Sequence, residues 1–169
     1  VTPEPSAEAI ADMAVLAAAH VRRFGLPPKI ALLSHSDFGS FDSPSARKMR
    51  EALTMLRENH PELEVEGEMN GDTALSPAIR ERVFPNSRLK GEANVLIMPN
   101  LDAANISYQM IKVLADALPV GPILIGAAKP AHVLTPSVTA RGIVNVTAAA
   151  VVEAQSLAGA PVIRIAEGG

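Results

Sequence analysis

Four stretches of this 169-residue chain gather groups able to hold a ligand: Ser34 to Ser40 (SHSDFGS), Asn70 to Thr73 (NGDT), Asn100 to Asn105, and Gly126 to Ser137. They offer hydroxyls, amides, the glycines Gly39, Gly71 and Gly126, and one lysine, Lys129. Such a set suits a phosphate- or carboxyl-bearing ligand, held by neutral donors and by a helix N-terminus whose unpaired N–H groups favour negative charge. The candidate contacts are Ser34, Ser36, Asn100, Asn105, Lys129, Thr135 and Ser137.

Each stretch also has a plainer reading. Ser or Asp after a strand often only caps the next helix, and SHSDFGS has too few glycines for a nucleotide-binding fingerprint. Asp102 and Asn105 flank a helix start, and Lys129 before Pro130 reads equally as a solvated charge. His20, His35, His60 and His132 lie far apart, without the spacing of a metalloprotease, so no metal site is expected. G-x-S-x-G is absent, and no Ser, His and acid trio stands out.

These loops need strands to aim them, and the hydrophobic pattern supplies the strands. Lys29 to Ser34, Leu63 to Met69, Asn94 to Met98 and Pro122 to Ile125 read as strands, with Pro161 to Ile165 as a short final one. Leu63, Val65, Gly67 and Met69 alternate with Glu64, Glu66 and Glu68, the pattern of an edge strand whose glutamates face water. Helices alternate with the strands. Ile10, Met13, Ala14, Ala17, Val21 and Phe24 form an apolar stripe behind an N-cap at Ser6, and Ala46, Met49, Leu53 and Leu56 form another behind Ser43-Pro44. Ser76-Pro77 opens a short helix with apolar Ile79 and Val83. Ile106, Met110, Val113 and Leu114 mark a buried face over Ala103 to Ala117, and a last helix runs from Thr139 to Leu157, closed by Gly159. The alternation implies a three-layer α/β domain with a mostly parallel sheet, flanked by N- and C-terminal helices. Loops at the carboxyl ends of such strands share one rim, where ligands bind.

The composition fits an ordinary folded domain, with 48% hydrophobic and 20% charged residues. A net charge of −3 with scattered Lys and Arg argues against nucleic acid or an anionic membrane as the main partner. With no cysteine, disulfides and thiolate metal sites are ruled out, and a cytoplasmic setting is the default. No run reaches the roughly 18 apolar residues of a membrane span, and VTPEPSAEAIADM lacks a basic region followed by an apolar one. A soluble, unexported protein is expected. The start without methionine fits a fragment of something longer or simple initiator removal.

Four motifs in order, ALLSHSDFGS, EGEMNGDTAL, ANVLIMPNLDAANISYQ and GPILIGAAKP, covering about Lys29 to Ala154, resemble the phosphate acetyl/butyryl transferase family. GEANVLIMP, MPNLDAANISYQ and GAAKPAHVLTPSVTARGIVNVTAAAVVEAQ are still more similar to the C-terminal transferase-like region of the large NADP-dependent malic enzymes. The resemblance implies a two-domain α/β protein with its active site between the domains. Residues 1–26 would then be a leading helix and linker, 27–138 the second domain, and 139–169 a helix and tail returning to a first domain that this chain lacks.

The resemblance also locates a departure. Active family members read LSRGCSVDDIV after the AKP motif, whereas this chain reads LTPSVTARGIV from Leu134. Thr135 falls at the serine, Pro136 at the arginine and Gly142 at the aspartate proposed to act as base. Proline brings no charge to a phosphate and glycine takes no proton, so acetyl transfer should be lost or very weak. The implied role is a regulatory domain that binds acetyl-CoA, controls oxidative decarboxylation of malate elsewhere in a malic enzyme, and forms a homodimer or higher oligomer. The NADP and the Mg or Mn ion of that enzyme would lie outside this chain, with no cofactor bound here. The alternative is a working phosphate acetyltransferase fragment.

Overall fold

Ser6 sits in extended backbone and its side chain accepts a hydrogen bond from the Ala9 amide, which starts α1 (Ala7–Arg23). One of the N–H groups that every helix start leaves unpaired is thereby satisfied. Glu8 in the first turn and Arg22 and Arg23 in the last complement the helix macrodipole, and Gly25 turns the chain away with a φ of +76°. The computed structural model describes residues 2–116, 119–136 and 138–159.

The chain then enters β1 (Lys29–Leu33), the central strand of a parallel sheet in the order β2-β1-β3, with β2 at Glu64–Met69 and β3 at Val95–Ile97. The crossover from β1 to β2 carries α2 (Pro44–Asn59), capped by the Ser43 side chain and opened by Pro44. Proline suits that first position, where its missing N–H would be unpaired in any case.

One face of the sheet, through Ile30, Leu32, Val65, Val95 and Ile97, packs on Ile10, Ala14 and Ala18 of α1 and Met49, Leu53 and Leu56 of α2. Ile10, Ile30, Leu32, Met49 and Leu56 are fully enclosed, each contributing about 2 kcal/mol by leaving water. Ala31, Leu33 and Met69 point to the other face, against Ala74, Leu89 and Ala93. The result is the three-layer α/β arrangement expected.

Two short helices, α3 (Gly71–Leu75) and α4 (Pro77–Val83), follow β2. The buried residue of α4 is a charge, Arg80. Its guanidinium donates to the Thr73 and Ala74 carbonyls at 3.0 and 3.2 Å, to the Leu89 carbonyl at 3.3 Å, and to that of Gly91. It thus ties α3 to the loop that leads into β3, while Val83, expected in the apolar face, is exposed. After β3 come α5 (Leu101–Leu114) and α6 (Ala140–Leu157), the latter capped by Thr139.

Several expectations are corrected. The buried stripe of α1 is Ala7, Ile10, Ala11, Ala14 and Ala18, turned so that Met13 and Phe24 face outward; the alanines let the helix lie close on the sheet and on α2. Pro122 to Ile125 form no strand. Pro119, Gly121 and Pro122 break the backbone pattern that a ladder needs, and the Leu124 amide donates to His132 Nδ1 at 3.3 Å instead of to a strand carbonyl. Ile106, Met110 and Val113, expected in the core, are 61%, 56% and 73% exposed, and α5 buries no residue. The short strand expected at Pro161 to Ile165 lies outside the described residues.

Candidate functional site

The pairing of β1 with β2 is regular from Lys29 opposite Glu64 to Leu32 opposite Gly67, and then slips, so that Leu33 stands opposite Met69. Glu68 is the extra residue. A bulge of this kind re-aims a side chain that alternation would have sent elsewhere. Gly67 is what allows it: a Cβ at that position would lie 2.8 Å from both the Cβ and the carbonyl oxygen of Leu32.

The bulge turns Glu68 inward, and Glu66, in the regular part of the ladder, is enclosed as well, at 0% and 1% exposure respectively, so neither faces water as expected. Glu66 pairs with Arg57 of α2 at 2.6 Å, and its other oxygen accepts from the Arg88 amide at 2.8 Å. Glu68 Oε1 accepts from Ser36 Oγ at 2.8 Å, from the Gly39 amide at 2.9 Å and from Arg50 Nη1 at 3.0 Å. Arg50 also reaches Asp42 at 2.8 Å, just before the α2 cap. Buried carboxylates persist only with such partners.

This places Glu68 directly beneath the SHSDFGS loop at the carboxyl end of β1. Ser34 donates its amide to the Met69 carbonyl at 2.9 Å, and its hydroxyl accepts from the Ser36 amide at 3.2 Å. Ser36 is fully buried, and besides donating to Glu68 its hydroxyl accepts from the Phe41 amide at 3.0 Å. Asp37 caps no helix. Its carboxylate accepts from both the backbone and side-chain amides of Asn70, at 2.8 and 2.7 Å, joining the loops after β1 and β2.

After β3, Asn100 caps α5 by accepting from the Ala103 amide at 2.9 Å, and its Nδ2 donates to Glu4 at the same distance. Asn105 is exposed one turn further on. Lys48 of α2 donates to the Pro99 carbonyl at 2.9 Å, and the Leu101 amide donates to Pro3, so α2 and the start of α1 both meet this rim. Three of the four expected loops thus share the rim, bringing Ser34, Ser36, Asn100 and Asn105 to one end of the sheet.

The fourth loop is elsewhere. A Cβ at Gly126 would lie 2.9 Å from Leu16 Cδ1, and Leu16 is about 15 Å along α1 from the end that meets the rim, at the usual helical rise. Without a strand at 122–125, nothing carries this segment to the sheet's carboxyl end. Lys129 and Thr135 follow Gly126 in the same segment, both exposed, and Ser137 lies outside the described residues. The sequence reading missed Glu68, Arg50 and the Asp37–Asn70 staple; the isolated glycine in the β2 pattern was the signal that a bulge stood there.

The family model described as phosphate acetyl/butaryl transferase matches residues 1–151. The chain belongs to this family. Among its relatives, an NAD-dependent malic enzyme of Rhizobium meliloti is 60% identical over 149 residues, covering 88% of this chain and 19% of that protein. An NADP-dependent malic enzyme of Escherichia coli is 55% identical over 157 residues, 92% of this chain and 21% of that one. The chain therefore spans about a fifth of the length of these malic enzymes. A phosphotransacetylase from Streptococcus pyogenes superposes with a TM-score of 0.88 at 32% identity, covering 92% of this chain and 47% of that one.

In this member of the phosphate acetyl/butaryl transferase family, the segment from Leu134 runs through exposed Thr135 and Pro136 into α6. Gly142 is the third residue of that helix, its amide donated to Thr139 Oγ1 at 3.1 Å. A Cβ there would lie 2.9 Å from Val138 Cγ2.

Farther along α6, Glu153 pairs with Arg23 of α1 and stands 3.8 Å from His132 Nε2. His20 completes this group, with both ring nitrogens buried and unpartnered. Burial chiefly, with Arg23 and His132 adding, holds its pKa below the ordinary 6.5 against the pull of Glu153. Among the described residues, no group of three or more His, Cys, Asp or Glu is placed to hold a metal ion, and no helix is long and apolar enough to cross a membrane.

Proposed function

We propose that this chain is a regulatory, non-catalytic phosphotransacetylase-like region of a malic enzyme, one that binds acetyl-CoA and controls the oxidative decarboxylation of malate to pyruvate. The observation that carries the reading is the contrast between a retained fold and rim and the residues at 135, 136 and 142. Threonine, proline and glycine stand there in place of the serine, arginine and aspartate that the resemblance leads one to expect. Losing those groups removes transition-state stabilisation, while the shape and amide donors that bind a thioester persist. The 60% and 55% identities to malic enzymes, against 44% to a phosphate acetyltransferase of Paracoccus denitrificans, support the same assignment.

In this reading residues 1–26 lead into the domain of 27–138, and 139–169 return toward a domain outside the chain. NADP or NAD and a divalent metal belong to that outside portion, in the cytoplasm. The exposed Ile106, Met110, Val113 and Leu114 of α5 support a further role in holding a homo-oligomer together, because contiguous apolar surface of this kind marks protein contacts.

Calorimetric titration of the full malic enzyme chain with acetyl-CoA tests the proposal. Saturable binding accompanied by inhibition of malate oxidation is expected, and absence of binding would refute it. The alternative is an active phosphate acetyltransferase, favoured by the family match over residues 1–151. Acetyl phosphate formation from acetyl-CoA and phosphate should be negligible in the unmodified chain and should rise in the P136R/G142D double variant; turnover by the unmodified chain would favour the alternative.

A further inference from the structure

The bulge leaves one side chain gripping the rim from below, and it is neither at the surface nor among the residues aligned with the family's reacting groups. Glu68 holds the loop at three places. Its main-chain carbonyl accepts from the Phe38 amide at 2.8 Å, and its Oε1 accepts from the Gly39 amide at 2.9 Å and from Ser36 Oγ at 2.8 Å. Between these points the loop adopts a backbone that is not its resting state, since Phe38 has a φ of +48°, followed by Gly39 at +86°. A bulky residue in the left-handed region is held only where its surroundings over-determine it. The Phe38 ring stacks on Phe84 at 4.4 Å, and the carboxylate secures the residues on either side. Arg50, at 3.0 Å, fixes the carboxylate to α2 and through Asp42 to the start of that helix.

We propose that Glu68 is the positioning residue of the rim site: by accepting from Ser36 and Gly39 it sets the shape of the 34–40 loop, and with it the affinity for the CoA thioester. The inference rests on the function proposed above, for which it names the residue that builds the binding surface. Glu68 touches no ligand itself. Its part in recognition is to hold amides and hydroxyls where neutral donors must stand, a geometry that tolerates little looseness in its supporting groups.

The substitutions E68Q and E68M in the full chain separate this role from space-filling and from charge balance. Glutamine keeps the acceptor oxygen, and methionine keeps the volume without it. Acetyl-CoA affinity by calorimetry should fall about tenfold in E68M, the effect of stranding the loop's two donors, and return to within about threefold in E68Q. Hydrogen exchange followed by mass spectrometry should show faster exchange in the 36–41 segment of E68M, with β1 unchanged and E68Q protected. Wild-type affinity or wild-type exchange of that segment in E68M overturns the proposal, as does failure of glutamine to rescue, which would point to charge balance with Arg50. If E68M does not fold, S36A reads the same contact. There Gly39, still bound to Glu68, should keep its protection while acetyl-CoA affinity falls, and loss of protection at Gly39 or wild-type affinity overturns the assignment. If the unmodified chain binds no acetyl-CoA, the proposed function falls, and the exchange measurement still decides whether Glu68 shapes the loop.

Discussion

Replacing Gly67 with alanine should be far more damaging than any other single-methyl addition at a glycine facing the rim. The added Cβ would stand 2.8 Å from the Cβ and 2.8 Å from the carbonyl oxygen of Leu32, at a φ of +155° that side chains rarely adopt. Leu32 is fully buried in the central strand, with β2 on one side and β3 on the other, so it has nowhere to move. Overpacking of a rigid site costs about 1–3 kcal/mol, and forcing the backbone adds about 1–3 kcal/mol. The sum, about 4 kcal/mol, corresponds to a fall in Tm of roughly 8–16 °C for a chain of this size. Gly39→Ala is the matched control, since Gly39 also has a positive φ, +86°, but nothing within 4 Å of an added Cβ. Its cost should be the left-handed backbone alone, about 1–2 kcal/mol. Urea and thermal unfolding followed by circular dichroism measure both. If G67A is no less stable than G39A, the close approach of Gly67 to Leu32 does not constrain the bulge, and the argument for how Glu68 is aimed fails with it.

Two further perturbations probe buried charge. Arg80→Ala strands the carbonyls of Thr73, Ala74, Leu89 and Gly91 and should cost about 3 kcal/mol in urea unfolding. Arg80→Lys should recover less than half of that, because an ammonium lacks the planar fork that spans both segments. His20, whose pKa is held below 6.5 by burial, makes stability depend on pH. The unfolded chain takes up the proton at its ordinary pKa while the folded chain resists until lower pH. Stability is therefore full above that value and declines as pH falls below it. Urea midpoints at about pH 7.5 and about pH 5.5 should differ less in H20N than in the unmodified chain; an equal pH response would refute the assignment.

Where local chemistry decides the structure, the sequence is a good guide. Ser6, Ser43, Ser76, Asn100 and Thr139 each accept from an amide in the first turn of the helix they precede. The apolar runs at Lys29 and Asn94 both become parallel strands. Legibility ends where distant residues decide. Alternation puts Glu64, Glu66 and Glu68 on one wet face, but the bulge after Gly67 re-aims Glu68 toward Arg50, and Arg57, seven residues along α2, takes Glu66 out of water without any change of register. The apolar stripe of α5 reads as a core face, yet no described residue packs over it closely enough to bury any of its side chains. At the candidate site, strand-end logic locates Ser34, Ser36, Asn100 and Asn105. It fails for Lys129 and Thr135, because proline and glycine deny the 122–125 segment a place in the sheet.

The hydrogen bonds that brace the 34–40 loop arise entirely within residues 34–70, from the bulge, from Arg50 and from the Asp37–Asn70 staple. The positions on which the proposed loss of acetyl transfer rests lie far downstream, at 135, 136 and 142. Mutations can therefore accumulate in the downstream segment without loosening the rim. Under the function proposed above, a reaction can be shed and a receptor kept, because the two are written in different parts of the chain.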